Sequence, residues 1–212
     1  MHANVSISSI QKIRAGWRVD WNGKTHIYDE VLLTTPAHAL NKLPLDESLQ
    51  KALQPLLTID YSPVSVLTVA FKRSDVAQPL DGFGMLVPEC EGRKILGVLF
   101  PASLFANRAP AGEVLLTVFL GGERQAELAV PDKDTLLATV LPELKELFGT
   151  TGEPTFSHHR HWPRAIPQYN LGYGKMLAQM DAIEKQFAGL KLAGNYRDGI
   201  SLSCCIEAAV SK

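Results

Sequence analysis

The sequence lacks several features that would assign a protein class directly. Its 212 residues include only three cysteines, Cys90, Cys204 and Cys205, which are too few for a disulfide framework. The adjacent pair is poorly placed to form a disulfide with itself. No apolar run approaches the about 20 residues of a membrane-spanning helix, and residues 1–15 lack the charged-then-apolar layout of a signal peptide. We therefore expect a reduced, cytoplasmic setting.

The sequence also lacks a large net charge and any run of basic residues. The formal net charge is -1 with 20% charged residues, and no basic run stands out, so nothing predicts a nucleic-acid partner. The hydrophobic fraction of 46% is ordinary for a folded protein. This length supports one sizeable core, or one domain with part of another.

The Gly-x-Gly-x-x-Gly turn that opens most dinucleotide-binding domains is absent. The segment Gly82-Phe83-Gly84 has no third glycine at the required spacing and no helical pattern after it. No Ser/His/Asp arrangement with nucleophile-elbow glycines occurs either. Because the chain also starts abruptly on polar, strand-like sequence, we expect it to be the C-terminal half of a larger protein or one half of a split one.

A strand–turn–helix pattern near the end of the chain carries the clearest chemical signal. Residues 190–193 form a short apolar run typical of a buried strand, and Gly194 and Gly199 bracket a polar turn. A helix is predicted from about Ile200, with Ser201 capping its free amides. Backbone N–H groups point outward at such a junction, which predicts an anion site, usually for phosphate. The alternative is an ordinary junction without a ligand.

The amino-acid sequence of this segment resembles a known flavin-binding motif. Residues 193–202, followed by Cys205-Ile206-Glu207, are similar to the C-terminal motif of protoporphyrinogen oxidases, which belong to the flavin-containing amine oxidase superfamily. Asp198 replaces a glycine common in that motif, and Cys204 stands where Asp or Asn is frequent. The resemblance implies an FAD site in which one arm of the turn approaches the phosphates and the other lies beside the flavin ring. The implied cofactor-binding residues of this segment are Gly194, Asn195, Gly199, Ile200, Ser201 and Leu202.

The N-terminal region predicts a small antiparallel meander followed by a buried strand. Asn22-Gly23 is a type I′ hairpin signal between alternating segments, and residues 30–36 predict a strand buried on both faces. Residues 28–37 resemble the second segment of the family's FAD domain. That resemblance implies that the backbone of Ile10 holds the adenine, whereas the residues alone would make Ile10 a half-buried strand residue.

The middle of the chain predicts antiparallel strands and one long helix. Residues 132–148 have helical spacing, with Pro142 expected to kink or split the helix. Residues 81–88 and 99–110 resemble two further family motifs. The resemblance implies that Leu99 and Leu115 line a cavity for a flat macrocycle, although plain core packing is the alternative. Arg108 is interpreted either as a carboxylate anchor or as a loop arginine bound to backbone carbonyls.

A histidine-rich strand precedes the last helices. His159 and His161 should share one strand face with His158 on the other, but no cysteine or carboxylate cluster joins them, so no metal site is predicted. Residues 162–172 resemble a Trp- and Pro-containing loop that packs near the flavin in the family. The resemblance therefore implies that Trp162 contacts FAD, and a core aromatic at a domain junction is the alternative.

Together these patterns predict an α+β or α/β fold, the C-terminal part of a two-domain FAD-dependent amine-oxidase-like protein with a mixed sheet covered by helices. The expected domains are a partial FAD-binding domain (1–45), a substrate-binding domain (46–160) and a return to the FAD-binding domain (161–212). The resemblance implies FAD-dependent oxidation of protoporphyrinogen IX or coproporphyrinogen III by dioxygen in haem biosynthesis, together with the missing N-terminal half. No catalytic base can be named.

Other interpretations stay open at this point. A different flavin amine oxidase or desaturase is the rival enzyme class, and a non-catalytic partner fragment is the rival outside enzymes. Peripheral membrane association through the missing part and a homo-oligomer are both compatible with the resemblance.

Overall fold

The computed structural model describes residues 2–211, which divide into two compact units. The first unit contains the residues up to Asp60 and those from Pro167 onward, and the second unit is Tyr61–Ile166. In chain order, the helices and strands are β1 (Ile7–Ile13), β2 (Gly16–Trp21), β3 (Lys24–Tyr28), β4 (Val31–Leu33), α1 (Glu47–Leu53), β5 (Tyr61–Lys72), β6 (Gly84–Leu86), β7 (Gly97–Leu99), α2 (Pro101–Leu104), β8 (Glu113–Gly121), α3 (Lys133–Phe148), β9 (Phe156–Pro167), α4 (Tyr173–Gln186), β10 (Leu190–Leu192) and α5 (Leu202–Ser211).

The first unit contains an antiparallel meander and a pair of parallel strands. Strands β1, β2 and β3 pair in that order, and the turn between β2 and β3 has positive φ angles at Asn22 (49°) and Gly23 (72°). Two positive φ angles are what a type I′ turn requires, so the hairpin prediction is confirmed. Strand β10 runs parallel to β4 and pairs Leu192 with Leu33.

One prediction for the first unit is wrong. The segment 30–36 was expected to be a strand buried on both faces, but β4 contains only Val31–Leu33 and Leu32 is 45% exposed. Within the described residues β4 has β10 as its only neighbour, so this two-stranded sheet leaves the Leu32 side chain uncovered.

The second unit is built on a five-stranded sheet with the order β6-β7-β8-β5-β9. Strands β5 and β8 are antiparallel over nine residue pairs, from Val64 opposite Gly121 to Lys72 opposite Glu113. Residues alternate along β8 because successive side chains point to opposite faces of a sheet. Val114, Leu116, Val118 and Leu120 are buried in the core, whereas Leu115, Thr117 and Phe119 on the other face are only half-buried.

Helix α3 covers the buried face of this sheet. It presents Leu136, Val140, Leu144 and Phe148 to the core. The Asp132 side chain caps its start by accepting from the amides of Asp134 (2.9 Å) and Thr135 (3.1 Å). Pro142 was expected to kink or split this helix; the split does not occur, because α3 is continuous from Lys133 to Phe148. Buried side chains on both sides of Pro142 hold the two halves against one core, which offsets the missing backbone hydrogen bond.

Candidate functional site

The parallel strands of the first unit end side by side. Strand β4 ends at Leu33 and β10 at Leu192, and the amide of Ala193 donates to the Leu33 carbonyl oxygen at 3.0 Å. In open α/β sheets, ligands bind outside the carboxyl ends of parallel strands. The segment that leaves β10 at this edge is Gly194–Gly199, here named the glycine-bracketed loop.

Some backbone amides of the glycine-bracketed loop donate hydrogen bonds within the loop, whereas the first two amides have no acceptor among the described residues. The amides of Arg197 (2.9 Å) and Asp198 (3.2 Å) both donate to the Gly194 carbonyl oxygen. The amides of Gly194 and Asn195 donate to no acceptor within residues 2–211. Two unpaired amides outside a strand end are the donors that a phosphate group uses in proteins.

Both glycines of the loop are required by its shape. Their φ angles are +135° at Gly194 and +116° at Gly199, values that L side chains rarely adopt. A Cβ atom on Gly199 would also lie 2.7 Å from the Cβ atom of Cys204. The loop therefore keeps its approach to β10 and α5 only with glycine at these positions.

Helix α5 begins directly after the loop, as predicted. The Cys204 amide donates to the Ser201 hydroxyl oxygen at 3.1 Å, and the Cys205 amide donates to the Ser201 carbonyl oxygen at 3.1 Å. The predicted capping by Ser201 is confirmed. Beside the cap, the apolar side chains of Ile200 (47% exposed) and Leu202 (78% exposed) face solvent, where a ligand could contact them.

An ion-pair network ties the loop to α4. The guanidinium group of Arg197, whose side chain is 12% exposed, contacts Glu184 at 2.9 Å and Asp181 at 2.7 Å. Glu184 also accepts from the amide of Leu192 in β10 at 2.7 Å. Sequence reasoning assigned Arg197 no role. Asp181 and Glu184 are three residues apart on α4, and two acidic residues at this spacing are a sequence signal for a bound cation.

A buried hydroxyl without a partner lies beyond the end of β4. The Thr35 hydroxyl is shielded from solvent and makes no hydrogen bond within residues 2–211. Leaving a buried hydroxyl unsatisfied costs about 1–3 kcal/mol, so such a group is typical of a site that a ligand completes. The residues at the two strand ends therefore fit the polar part of a dinucleotide cofactor.

Ile10 lies in the first unit, where its side chain is buried and its amide already makes a backbone hydrogen bond. Its side chain is 3% exposed, and its amide donates to the Pro44 carbonyl oxygen at 2.8 Å. It pairs with Val19 across the β1–β2 ladder. Adenine binding by the Ile10 backbone stays a prediction.

The structure places the predicted substrate residues on one face of the second unit's sheet. Leu99 stands opposite Thr117, and Leu115 is two residues from Thr117 on β8, so both leucines share the half-buried face. Trp162 belongs to the same unit, on β9. Its ring is 47% exposed, and the Arg160 guanidinium group lies over it at 4.7 Å.

The histidine strand behaves as predicted in one respect. His159 Nε2 (2.8 Å) and His161 Nδ1 (3.4 Å) both contact the buried Ser65 hydroxyl, so these two histidines share a strand face. Ser65 donates its proton to the Ala129 carbonyl oxygen at 2.6 Å. In the part of the chain that the structure describes, no group of three or more His, Cys, Asp or Glu residues is placed to hold a metal ion.

Arg108 donates to no backbone carbonyl within residues 2–211, so the second of its two interpretations is not seen there. It is exposed, and its guanidinium group lies over the Phe105 ring at 5.5 Å. Arg73, by contrast, donates to the backbone carbonyl oxygens of Val76 and Gln78. Carboxylate anchoring by Arg108 stays a prediction.

Comparison with known proteins defines the class. The family profile described as "Flavin containing amine oxidoreductase" matches residues 1–211. The chain is 39% identical over 179 residues to "Protoporphyrinogen oxidase, mitochondrial" of Nicotiana tabacum, covering 82% of this chain and 36% of that protein. It is 24% identical over 206 residues to "Coproporphyrinogen III oxidase" of Staphylococcus aureus, covering 96% of this chain and 43% of that protein. The chain belongs to the flavin-containing amine oxidoreductase family, an FAD-dependent oxidoreductase family.

Solved structures agree on the fold. Cyclohexylamine oxidase from Brevibacterium oxydans matches with a TM-score of 0.65 at 14% identity, covering 97% of this chain and 45% of that one. Reduced UDP-galactopyranose mutase matches with a TM-score of 0.69 at 13% identity, covering 90% of this chain and 41% of that one. The predicted α+β, amine-oxidase-like fold is confirmed. Among the described helices, none has both the length and the apolar character needed to cross a membrane.

Proposed function

We propose that this chain is part of a porphyrinogen oxidase. The glycine-bracketed loop and the start of α5 complete its flavin site, and the five-stranded sheet of the second unit binds its substrate. The reaction is oxidation of protoporphyrinogen IX or coproporphyrinogen III in haem biosynthesis, with FAD as cofactor and dioxygen as the final electron acceptor. The observation that carries the proposal is the pair of unpaired amides, Gly194 and Asn195, outside the carboxyl ends of two parallel strands in a chain of this family.

Each part of the site has a stated role. The amides of Gly194 and Asn195 would bind the pyrophosphate oxygens, and the Thr35 hydroxyl would gain the partner that it lacks. Ile200 and Leu202 would contact the flavin ring and exclude water from it. FAD, when bound, supplies the hydride acceptor that the oxidation requires. Trp162 and the backbone of Ile10 are proposed as further cofactor contacts.

The second unit offers the surface for the porphyrinogen. Leu99, Leu115 and Phe119 form a half-buried apolar face opposite the core of the sheet, and Thr68 stands opposite Thr117 within it. A flat macrocycle with an apolar body and polar edges suits such a face, because pockets for small molecules combine apolar walls with a few polar groups. The names of the tobacco and Staphylococcus relatives support this class of substrate.

A glycine-rich partner half is part of the proposal. The apolar side chains of Ile206 (56%) and Val210 (85%) are four residues apart on α5 and are exposed, as is Leu32 (45%) in β4. Exposed apolar side chains on one helix face mark a surface that another polypeptide covers. The cytoplasmic location, the peripheral membrane contact and the homo-oligomer expected from the sequence stay predictions.

The test is an absorbance spectrum of the purified chain with added FAD, alone and co-expressed with a glycine-rich half from a relative. We expect protein-bound flavin bands in at least one preparation, followed by porphyrin fluorescence when porphyrinogen is supplied. Leu115→Trp should then raise the KM for porphyrinogen by about tenfold, because the new ring fills the substrate face. Val130→Trp, at a 69% exposed position of the same unit that lies outside the sheet, is the matched control and should leave the KM unchanged.

The outcomes separate the rival interpretations. No bound flavin in either preparation would contradict the proposed cofactor site. Bound flavin that oxidises amines but not porphyrinogens would favour a different enzyme of the family. Bound flavin with no turnover of either substrate class would favour a non-catalytic partner.

A further inference from the structure

The hydroxyl of Tyr169 connects the two arms of the glycine-bracketed loop. It donates to the carbonyl oxygen of Asn195 at 2.5 Å and accepts from the amide of Gly199 at 3.1 Å. One phenol oxygen therefore joins the second and the last residues of the loop. All three residues belong to the first unit.

The ring of Tyr169 is itself held in place. It stacks on the ring of Tyr173, with centroids 4.5 Å apart and an interplanar angle of 26°. The Tyr173 hydroxyl donates to the carbonyl oxygen of Tyr196, inside the loop, at 2.5 Å. Stacked aromatic rings with two short, directed hydrogen bonds leave the loop little freedom to open.

The bonding capacity of the Tyr169 hydroxyl suits this position. A phenol has one proton to donate and a lone pair that accepts, and the loop uses both. Partial burial raises the pKa of the Tyr169 hydroxyl above its ordinary value, and Asp198 adds to the rise against the opposing Gly199 bond. The phenol stays protonated at neutral pH, and the donor to Asn195 is therefore retained.

The two arms have different proposed tasks. The amides of Gly194 and Asn195 on the first arm would bind the phosphates, and Ile200 and Leu202, which follow Gly199 on the second arm, would contact the flavin ring. FAD must contact both arms at once. The separation of the arms therefore has to match the distance between the pyrophosphate and the ring system.

We propose that Tyr169 is a positioning residue of the flavin site, whose hydroxyl sets the separation between the phosphate-binding arm and the flavin-contacting arm of the loop. This inference rests on the proposed function. Tyr169 touches neither the substrate nor the reacting atoms in this assignment. It acts through Asn195 and Gly199, and Tyr173 supports it through Tyr196.

The variant Tyr169→Phe keeps the stacked ring and removes both hydrogen bonds. In the ligand-free protein, we expect the Gly199 amide to exchange with deuterium about tenfold faster, the factor that corresponds to one lost hydrogen bond of ordinary strength. Tyr28→Phe is the matched control. Tyr28 lies in the same unit, is 44% exposed, and its hydroxyl makes no hydrogen bond within residues 2–211. It should leave Gly199 exchange unchanged.

Ligand binding distinguishes positioning from a general structural role. In the preparation that binds flavin, Tyr169→Phe should raise the dissociation constant of FAD about tenfold. ADP, which reaches only the phosphate-binding arm, should weaken by less than about threefold, because its contacts do not depend on the separation of the arms. Tyr28→Phe should change neither constant.

Each outcome has a definite meaning. Unchanged Gly199 exchange, unchanged FAD affinity, or equal losses for FAD and ADP would overturn the positioning role while leaving flavin binding intact. A wild-type protein that takes no FAD in any preparation would overturn the proposed function, and the positioning role with it. Faster exchange together with a loss specific to FAD would establish the role of Tyr169.

Discussion

Different forces stabilise the core of the second unit and the glycine-bracketed loop of the first unit. Leu67, Val69 and Phe71 of the core are fully buried, and their stabilisation comes from apolar area removed from water. The loop is held by directed bonds to a few polar groups, among them Arg197 and the Tyr169 hydroxyl. Apolar burial is large and non-directional, whereas each hydrogen bond contributes little but fixes a geometry. Substitutions should therefore change stability in the core and geometry in the loop.

The largest expected loss of stability comes from a substitution in the core of the second unit. Leu144→Ala removes a fully buried side chain from α3 and should lower the free energy of unfolding by about 2–5 kcal/mol through lost burial and the cavity left behind. Urea denaturation measures the loss. Leu86→Ala, at an 85% exposed position, is the control and should stay within about 0.5 kcal/mol of wild type. If the folded fraction of Leu144→Ala lost FAD binding, the core would also control the geometry of the cofactor site, contrary to this expectation.

A smaller effect on stability but a larger one on the site is expected in the loop. Gly199→Ala forces a side chain onto a φ of +116° and against Cys204, which should cost about 1–3 kcal/mol of local strain and abolish FAD binding. Gly174→Ala is the matched control, because a Cβ atom there meets nothing within 4 Å. In helix α4 it should stabilise the protein by about 0.5–1 kcal/mol. Differential scanning calorimetry and a flavin titration measure both effects. Undiminished FAD binding by Gly199→Ala would remove the loop from the cofactor site.

The smallest expected effect is a pH dependence of the second unit. Burial, assisted by the positive charges of His161 and His158, lowers the pKa of His159 below its ordinary value of 6.5, and Asp132 opposes the shift. The unfolded chain then holds the His159 proton more tightly than the folded one. The free energy of unfolding should therefore fall as the pH drops through 6.5, until the pH is below the folded pKa.

The His159 effect can be isolated with one pair of variants. His159→Gln should flatten the dependence of urea midpoints on pH between about pH 5 and 8. His158→Gln, on the other face of the strand, should change the slope less. An unchanged slope in His159→Gln would assign the pH dependence to other groups.

Local sequence patterns predicted much of the backbone. The hairpin at Asn22-Gly23 and the Ser201 cap were predicted because both depend on residues close in sequence, whose φ preferences and side-chain bonds are set locally. The predicted burial of residues 30–36 was wrong at Leu32. Burial depends on which other elements cover a strand, and the periodicity of a short apolar run carries no information about them. At Pro142, tertiary packing overrode a local preference for breaking the helix.

The amino-acid sequence was enough to predict the family, the strand–turn–helix order at the end of the chain and the glycines that its loop requires. These follow from residue identity and short-range stereochemistry. Three contacts became visible only in the folded chain: the Tyr169 hydroxyl bonds to Asn195 and Gly199, Arg197 pairs with Glu184, and the Ile10 amide donates to Pro44. Those contacts join residues that are distant along the chain or depend on the exact path of a turn. Their partners are chosen by how the strands and helices pack, which no local pattern specifies.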